Sequence, residues 1–156
     1  IRKANSADVK DILRLLIELA VYEKDPDAVK ITEKDLLEDG FRDNPRYECF
    51  IAEINSEIVG LAFYTPRYST WDGKTLHLED LVVTEKMRGK GIGLSLYKSF
   101  LKEAKKQGVN RVEWSVLDWN KPAINFYLKS GALIDDYSKW KIVRMNKSLI
   151  EKFLSS

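Results

Sequence analysis

The chain of 156 residues contains a single cysteine, Cys49, and a single histidine, His77. One cysteine excludes an internal disulfide framework, and the two residues together leave no Cys/His cluster for zinc. No chemical role is legible for either, so both are expected to be structural. Repeats, low-complexity tracts and Pro/Gly/Ser-rich linkers are missing, so no domain boundary is visible. No apolar run approaches the roughly 20 residues that a membrane span needs. The opening Ile1-Arg2-Lys3-Ala4-Asn5 passes into a charged helix without the apolar stretch of a signal peptide. These absences lead to the expectation of a single domain over 1–156, cytoplasmic, metal-free and off the membrane.

At 44% hydrophobic and 11% aromatic residues the chain can bury a sizeable core. Its net charge of +2 hides an asymmetry, since residues 1–80 carry 17 acids and 11 bases whereas residues 81–156 carry 7 acids and 15 bases. Either the first half is suited to a cation and the second to an anion, or the split is ordinary scatter on a solvated surface. The basic residues of the second half are dispersed, which disfavours nucleic acid as a partner.

Ser6 suits the N-cap of a helix whose stripe is Val9, Ile12, Leu13, Leu16, Leu19 and Ala20. Thr32-Glu33-Lys34-Asp35 reads as a capping box opening a short helix that Gly40 stops. Tyr47 to Ile54 and Glu57 to Tyr64, joined by Asn55-Ser56, read as a hairpin, and Thr75 to Val83 as a mostly buried strand. Leu94 to Gln107 has helical spacing, and Arg111 to Val116 alternates like a strand. Pro122 suits the first turn of a short helix closed by Gly131. A last strand is expected over Trp140 to Met145 and a terminal helix over Leu149 to Leu154. The fold class is therefore α/β or α+β, a mixed and largely antiparallel sheet flanked by helices.

The most informative local feature is a strand, then Arg88-Gly89-Lys90-Gly91-Ile92-Gly93, then a helix. Glycines let the backbone turn tightly, and the unpaired N–H groups of the next helix converge on the same point. This is an anion site or simply a tight connection. A nucleotide P-loop does not fit, because G-x-x-x-x-G-K-[ST] does not occur. A dinucleotide fingerprint fails too, since Leu94 stands where the third glycine belongs. Upstream, Glu79 and Asp80 are adjacent carboxylates in an apolar strand; if buried, they are either structurally paired or functional.

Arg88-x-x-Gly91-x-Gly93 after such a strand resembles the acetyl-CoA loop of the GNAT acetyltransferase superfamily. Leu78-Glu79-Asp80, Leu117-Asp118-Trp119-Asn120, Asn125-Phe126-Tyr127 and Tyr68-Ser69-Thr70-Trp71 extend the likeness to the diamine group, which includes the spermidine/spermine and thialysine N-acetyltransferases. The resemblance covers nearly the whole chain. It implies acetyl-CoA as co-substrate, a small primary amine as acceptor, direct attack in a ternary complex, and a homodimer.

It also implies roles by position. Gly89, Lys90, Gly91, Ile92, Gly93 and Leu94, with Arg88, would hold the cofactor pyrophosphate. Leu81, Val82 and Val83 would pair with the pantetheine as an added strand does. Asn120, Lys121, Pro122 and Ala123 would touch the cofactor from the other side. Glu79 is the candidate general base and Asp80 a charge facing the substrate. Tyr127 is the candidate general acid, the alternative being simple packing. Tyr22, Glu23, Trp71, Glu113, Trp114 and Ser115 would line the acceptor site, where carboxylates and aromatic faces suit an ammonium group. Ser69 stands where polyamine-type members carry an acid, which favours a shorter amine or an amino-acid side chain. A protein lysine, a protein N-terminus, or binding of acetyl-CoA without turnover are the alternative functions.

Overall fold

The computed structural model describes residues 1–135 and 142–155. They fall into two compact units, Ile1–Ser115 and Val116–Ser156. The first holds a five-stranded sheet of β1 (Arg2–Lys3), β2 (Glu48–Ile54), β3 (Glu57–Ser69), β4 (Gly73–Val83) and β5 (Arg111–Glu113). The strands lie in chain order; the first three pairings are antiparallel and β4–β5 is parallel. Helices α1 (Val9–Tyr22), α2 (Glu33–Gly40) and α3 (Ile92–Gln107) flank it, so the mixed, largely antiparallel architecture read from the sequence is observed.

Alternation along β3 sorts the two faces. Leu61 and Phe63 join Ile12, Leu15, Leu16 and Leu36 in one buried cluster beneath α1 and α2. The neighbouring positions face α3, where the rings of Tyr64 and Phe100 lie 5.3 Å apart. A Cβ on Gly60 would meet the Val82 carbonyl at 2.8 Å and Leu96 at 3.1 Å, so only glycine lets α3 pack this closely.

Several local expectations are corrected. The N-terminus begins with a short strand, and the cap is Asn5 rather than Ser6. Asn5 accepts from the Ala7 amide at 2.9 Å, while the Asp8 carboxylate accepts from the Asn5 amide at 2.7 Å. That reciprocal pair outcompetes a lone serine. Arg2 donates twice to Asp8, at 2.7 and 2.9 Å, and holds its carboxyl below the usual range. The Thr32/Asp35 capping box forms as expected. Gly40, however, is the last residue of α2, and an added Cβ would sit 2.2 Å from the Tyr47 ring. It is a packing glycine, not a stop signal.

β3 runs past Tyr64 to Ser69 despite Pro66. The β2 pairing ends at Glu48–Tyr64, so beyond it one side of β3 is an edge, where a missing N–H is tolerated. β5 stops at Glu113, three residues short of the expected Val116.

The second unit contains α4 (Lys121–Lys129) and α5 (Lys147–Leu154). Pro122 lies in the first turn of α4, and Gly131, with φ +90°, follows its end. Of the strand expected over 140–145, residues 140 and 141 lie outside the described residues, and Ile142 to Met145 are irregular.

Candidate active site

β4 carries the two features that the sequence singles out. Phe63 pairs with Asp80, but its neighbour Tyr64 pairs with Leu78, so Glu79 is an inserted residue, a β-bulge. An inserted residue cancels the alternation. The cross-strand partners of His77 and Asp80 are Thr65 and Phe63, both on the α1 face. Glu79 joins them there, accepting a 3.0 Å hydrogen bond from the Thr65 hydroxyl. Two consecutive carboxylates thus share one face of a strand.

They are not both buried, as the sequence suggests. The Glu79 side chain is 44% exposed, as the unpaired residue of the bulge. Asp80 carries the burial, which lifts its pKa to about 7, with the charges of Glu79 and Glu23 adding to the effect. Glu23 sits at the C-cap of α1, where partial burial of its carboxyl raises its pKa as well. These three acids therefore form one acidic cluster able to attract a cation, and Asp80 within it takes up a proton near neutral pH.

Three residues beyond Asp80 the strand ends. β5 pairs with β4 only from Thr75 to His77. Along Leu81, Val82 and Val83 that edge has no strand neighbour among the described residues. The glycine turn follows at once. Gly89 and Gly91 have φ of +75° and +78°, a region L side chains avoid, and a Cβ on either would meet nothing within 4 Å. No side chain caps α3, so the amides of Ile92, Gly93 and Leu94 have no intrahelical acceptor. Open space over the two glycines, beside a helix start whose first amides lack an intrahelical acceptor, suits an anion such as a pyrophosphate. Arg88 is tied down beside it: Nε donates to the Val83 carbonyl at 2.9 Å, and the guanidinium lies 4.6 Å over the Tyr22 ring. The Lys90 ammonium donates to the Met87 sulfur at 3.4 Å.

At the opposite end of β4, Trp71 and Glu113 line one open cavity of about 320 Å³ with Arg67, Ser69 and Arg111. Ser69 accepts from the amides of Trp71 and Asp72, at 3.2 and 3.1 Å, and so shapes the β3–β4 turn. Trp114 stands edge-on to Tyr97 of α3, with ring centroids 5.7 Å apart, and Ser115 is exposed. Thr65 and Arg67 escape the sequence reading because it ends β3 at Tyr64, and Arg111 because its partner Asp72 is brought to it only by the β4–β5 pairing. The signal was the alternation of Thr65, Arg67 and Ser69 across Pro66.

The remaining candidates belong to the second unit. Asn120 caps α4, its side-chain oxygen accepting from the Ala123 amide at 3.3 Å, with Lys121 and Pro122 in the first turn. Tyr127 is buried, and its ring meets that of Phe126 edge-on at 5.3 Å. Among the described residues no group of three or more His, Cys, Asp or Glu is placed to hold a metal ion. None of the described helices is long and apolar enough to cross a membrane.

The chain belongs to the Acetyltransferase (GNAT) family, which it matches over residues 11–132, a span that includes the bulged strand, the glycine turn and the helix after it. It is 43% identical over 140 residues to the thialysine N-epsilon-acetyltransferase of Bos taurus, covering 85% of this chain and 82% of that protein. It is 40% identical over 155 residues to the spermidine/spermine N(1)-acetyltransferase-like protein 1 of Homo sapiens, covering 94% of this chain. It spans only 22% of that human relative's length. Among solved structures, an integron cassette protein from the mobile metagenome of V. cholerae has the same fold, with a TM-score of 0.77 at 24% identity, covering 99% of this chain and 96% of that one.

Proposed function

We propose that this protein transfers the acetyl group of acetyl-CoA to a primary amine of a small molecule, by direct attack in a ternary complex. The observation that carries this reading is the spacing along β4. The proton-accepting Asp80 is separated from the donor turn by only the three open-edged residues Leu81, Val82 and Val83. The two units are read as parts of one acetyltransferase domain, because the family match crosses their boundary. The relatives named above act, by their names, on thialysine and on spermidine or spermine. They support a small amine as acceptor here, and the resemblance supports a homodimer.

Acetyl-CoA, when bound, supplies an acyl group on a thiol leaving group. The amides from Gly89 to Leu94 would hold its pyrophosphate, and the free edge of Leu81 to Val83 would pair with its amide groups. Asn120 to Ala123 would contact it from α4. Glu23 and Glu79 attract the acceptor's ammonium into the site, with Trp71, Glu113, Trp114 and Ser115 proposed around the rest of the acceptor, while the Tyr22 ring already carries the Arg88 guanidinium.

The acceptor must lose a proton before it attacks. An alkylamine with a pKa near 10.4 gives that proton to an ordinary aspartate at a disadvantage of roughly 9 kcal/mol, but to a carboxylate titrating near 7 at roughly 5. Burial thus makes Asp80 the better general base, and Glu79, named for that role on sequence, the charge that helps tune it. The Tyr127 hydroxyl would return a proton to the departing sulfur, a transfer between groups of similar basicity.

Release of CoA, measured across diamines, polyamines, thialysine, lysine and a lysine-containing peptide, tests the reading. Turnover is expected with the small amines. Turnover confined to the peptide would move the function to protein acetylation, and binding of acetyl-CoA without turnover on any amine would make this a non-catalytic module.

A further inference from the structure

The α1 face of the sheet continues from the paired carboxylates to the cavity at the β3–β4 turn as one row of charges. The Glu79 Oε2 atom lies 3.7 Å from His77 Nε2. On the other side of the ring, His77 Nδ1 lies 3.2 Å from Arg67 Nη1. A guanidinium only donates, so Nδ1 is the acceptor in this contact and Nε2 is the ring nitrogen toward Glu79. Arg67 Nη1 also donates to Glu113 Oε1 at 2.7 Å. Arg111 fixes Glu113 from behind, with Nε and Nη2 at 3.1 and 3.0 Å from Oε2, and is itself paired with Asp72.

Every hydrogen bond of Arg67 among the described residues runs through Nη1. Its Nε and Nη2 hydrogens remain for a ligand, on a side chain that is 54% exposed and lines the cavity. Two parallel donors on a guanidinium match a carboxylate. One imidazole separates Arg67 from Glu79, and positions two apart on a strand are about 7 Å apart. An extended lysine-type molecule spans about 7–8 Å from its side-chain nitrogen to its carboxylate carbon, six bonds of ordinary length.

We infer that Arg67 is a specificity-determining residue that binds the α-carboxylate of a basic amino-acid acceptor, whose side-chain amine reaches the Glu79/Asp80 end of the row. This rests on the acetyltransferase reading above and narrows its substrate class. Glu113, beside Arg67, meets the α-ammonium, so that a zwitterionic head group faces a pair of opposite polarity. A diamine of the same length lacks the carboxylate and brings its second ammonium against Arg67.

The test compares lysine with 1,5-diaminopentane, and ornithine with 1,4-diaminobutane, as acceptors for the unmodified protein, Arg67→Gln and Arg67→Lys. The quantity read is the ratio of kcat/KM for each amino acid to that for its decarboxylated partner. The unmodified protein is expected to favour the amino acids. Arg67→Gln should lower the ratio at least about tenfold, mainly through KM, as expected for loss of a charge-assisted bidentate contact. Arg67→Lys, which keeps the charge but not the fork, should fall between. A general loss of fold would lower both rates and leave the ratio in place. An unchanged ratio in Arg67→Gln, or a preference of the unmodified protein for the diamines, overturns the inference while the acetyltransferase reading stands. Absence of turnover on every amine overturns both.

Discussion

Asp80→Asn should stabilise the protein at alkaline pH while disabling it. The pKa of Asp80 is raised from 3.8 to about 7 by burial and by the charges of Glu79 and Glu23. At 1.36 kcal/mol per unit, keeping this carboxylate ionised in the folded state costs about 4 kcal/mol. The sign follows from the direction of the shift. Below pH 3.8 the group is protonated whether the chain is folded or not, and its contribution to stability is fully present. As the pH rises from there to about 7 the unfolded chain releases the proton while the folded one retains it, and stability is lost progressively. Asparagine has nearly the same shape and does not titrate. The advantage of Asp80→Asn over the unmodified protein should therefore grow by about 2–3 kcal/mol between pH 5 and pH 8. Urea denaturation at the two pH values measures this directly. In parallel, kcat with a small amine should fall by about 10²–10⁴-fold, the usual contribution of a general base. A stability difference that stays flat from pH 5 to pH 8 would show that the carboxyl is not perturbed. If Glu79→Gln lowers kcat more than Asp80→Asn does, the base is Glu79 and the assignment made from burial is wrong.

The other predictions concern the donor turn, the acid and acceptor selectivity. Gly91→Val should leave the fold in place, because its Cβ meets nothing within 4 Å, at a strain of about 1–2 kcal/mol for a left-handed residue. It should abolish CoA binding in calorimetry, and unchanged affinity would remove the pyrophosphate from this turn. Tyr127→Phe should keep acetyl-CoA affinity and lower kcat by about 10²–10⁴-fold; a loss below about tenfold would make Tyr127 a packing residue. Ser69→Asp keeps an acceptor for the same turn amides but sets a second carboxylate beside Asp72, so the fold should be kept at a modest loss of stability, read by thermal unfolding. It should shift preference toward spermine, and an unmoved ranking of acceptors would discard Ser69 as a selectivity position.

The elements whose signal is local were legible in the sequence. The stripe of α1, the Thr32/Asp35 capping box, the Asn55-Ser56 hairpin and the glycine turn each carry their own physical cause within a few residues, and each formed. What escaped depends on partners distant in sequence. Pro66 argues against a strand until one knows that β2 has already ended beside it. Gly40 looks like a helix stop until Tyr47 is seen against it. The length of β5 depends on where β4 stops offering a straight edge. In the candidate site the residue types were legible, as was the adjacency of Glu79 and Asp80. Their division into an exposed and a half-buried carboxylate was not, because it follows from an insertion in register that no periodicity announces.

That insertion connects the two halves of the proposed chemistry. With regular alternation, Glu79 and Asp80 would face opposite sides of the sheet, and only one would face the α1 side where Glu23 lies. The bulge places both there, and in doing so generates the like-charge repulsion that helps raise Asp80. Bulges also bend the strand that contains them. The parallel pairing with β5 ends at His77, two residues before the bulge, and among the described residues no strand pairs with that edge of β4 from there to the glycine turn. The extra residue thus adds its charge to the burial that raises Asp80, and it lies just beyond the last β4 residue paired with β5. Deleting Glu79 would be expected to restore a regular ladder in which Leu78, Asp80 and Val82 keep their present partners and faces, so the fold should survive while Asp80 loses the neighbouring charge and titrates closer to an ordinary aspartate.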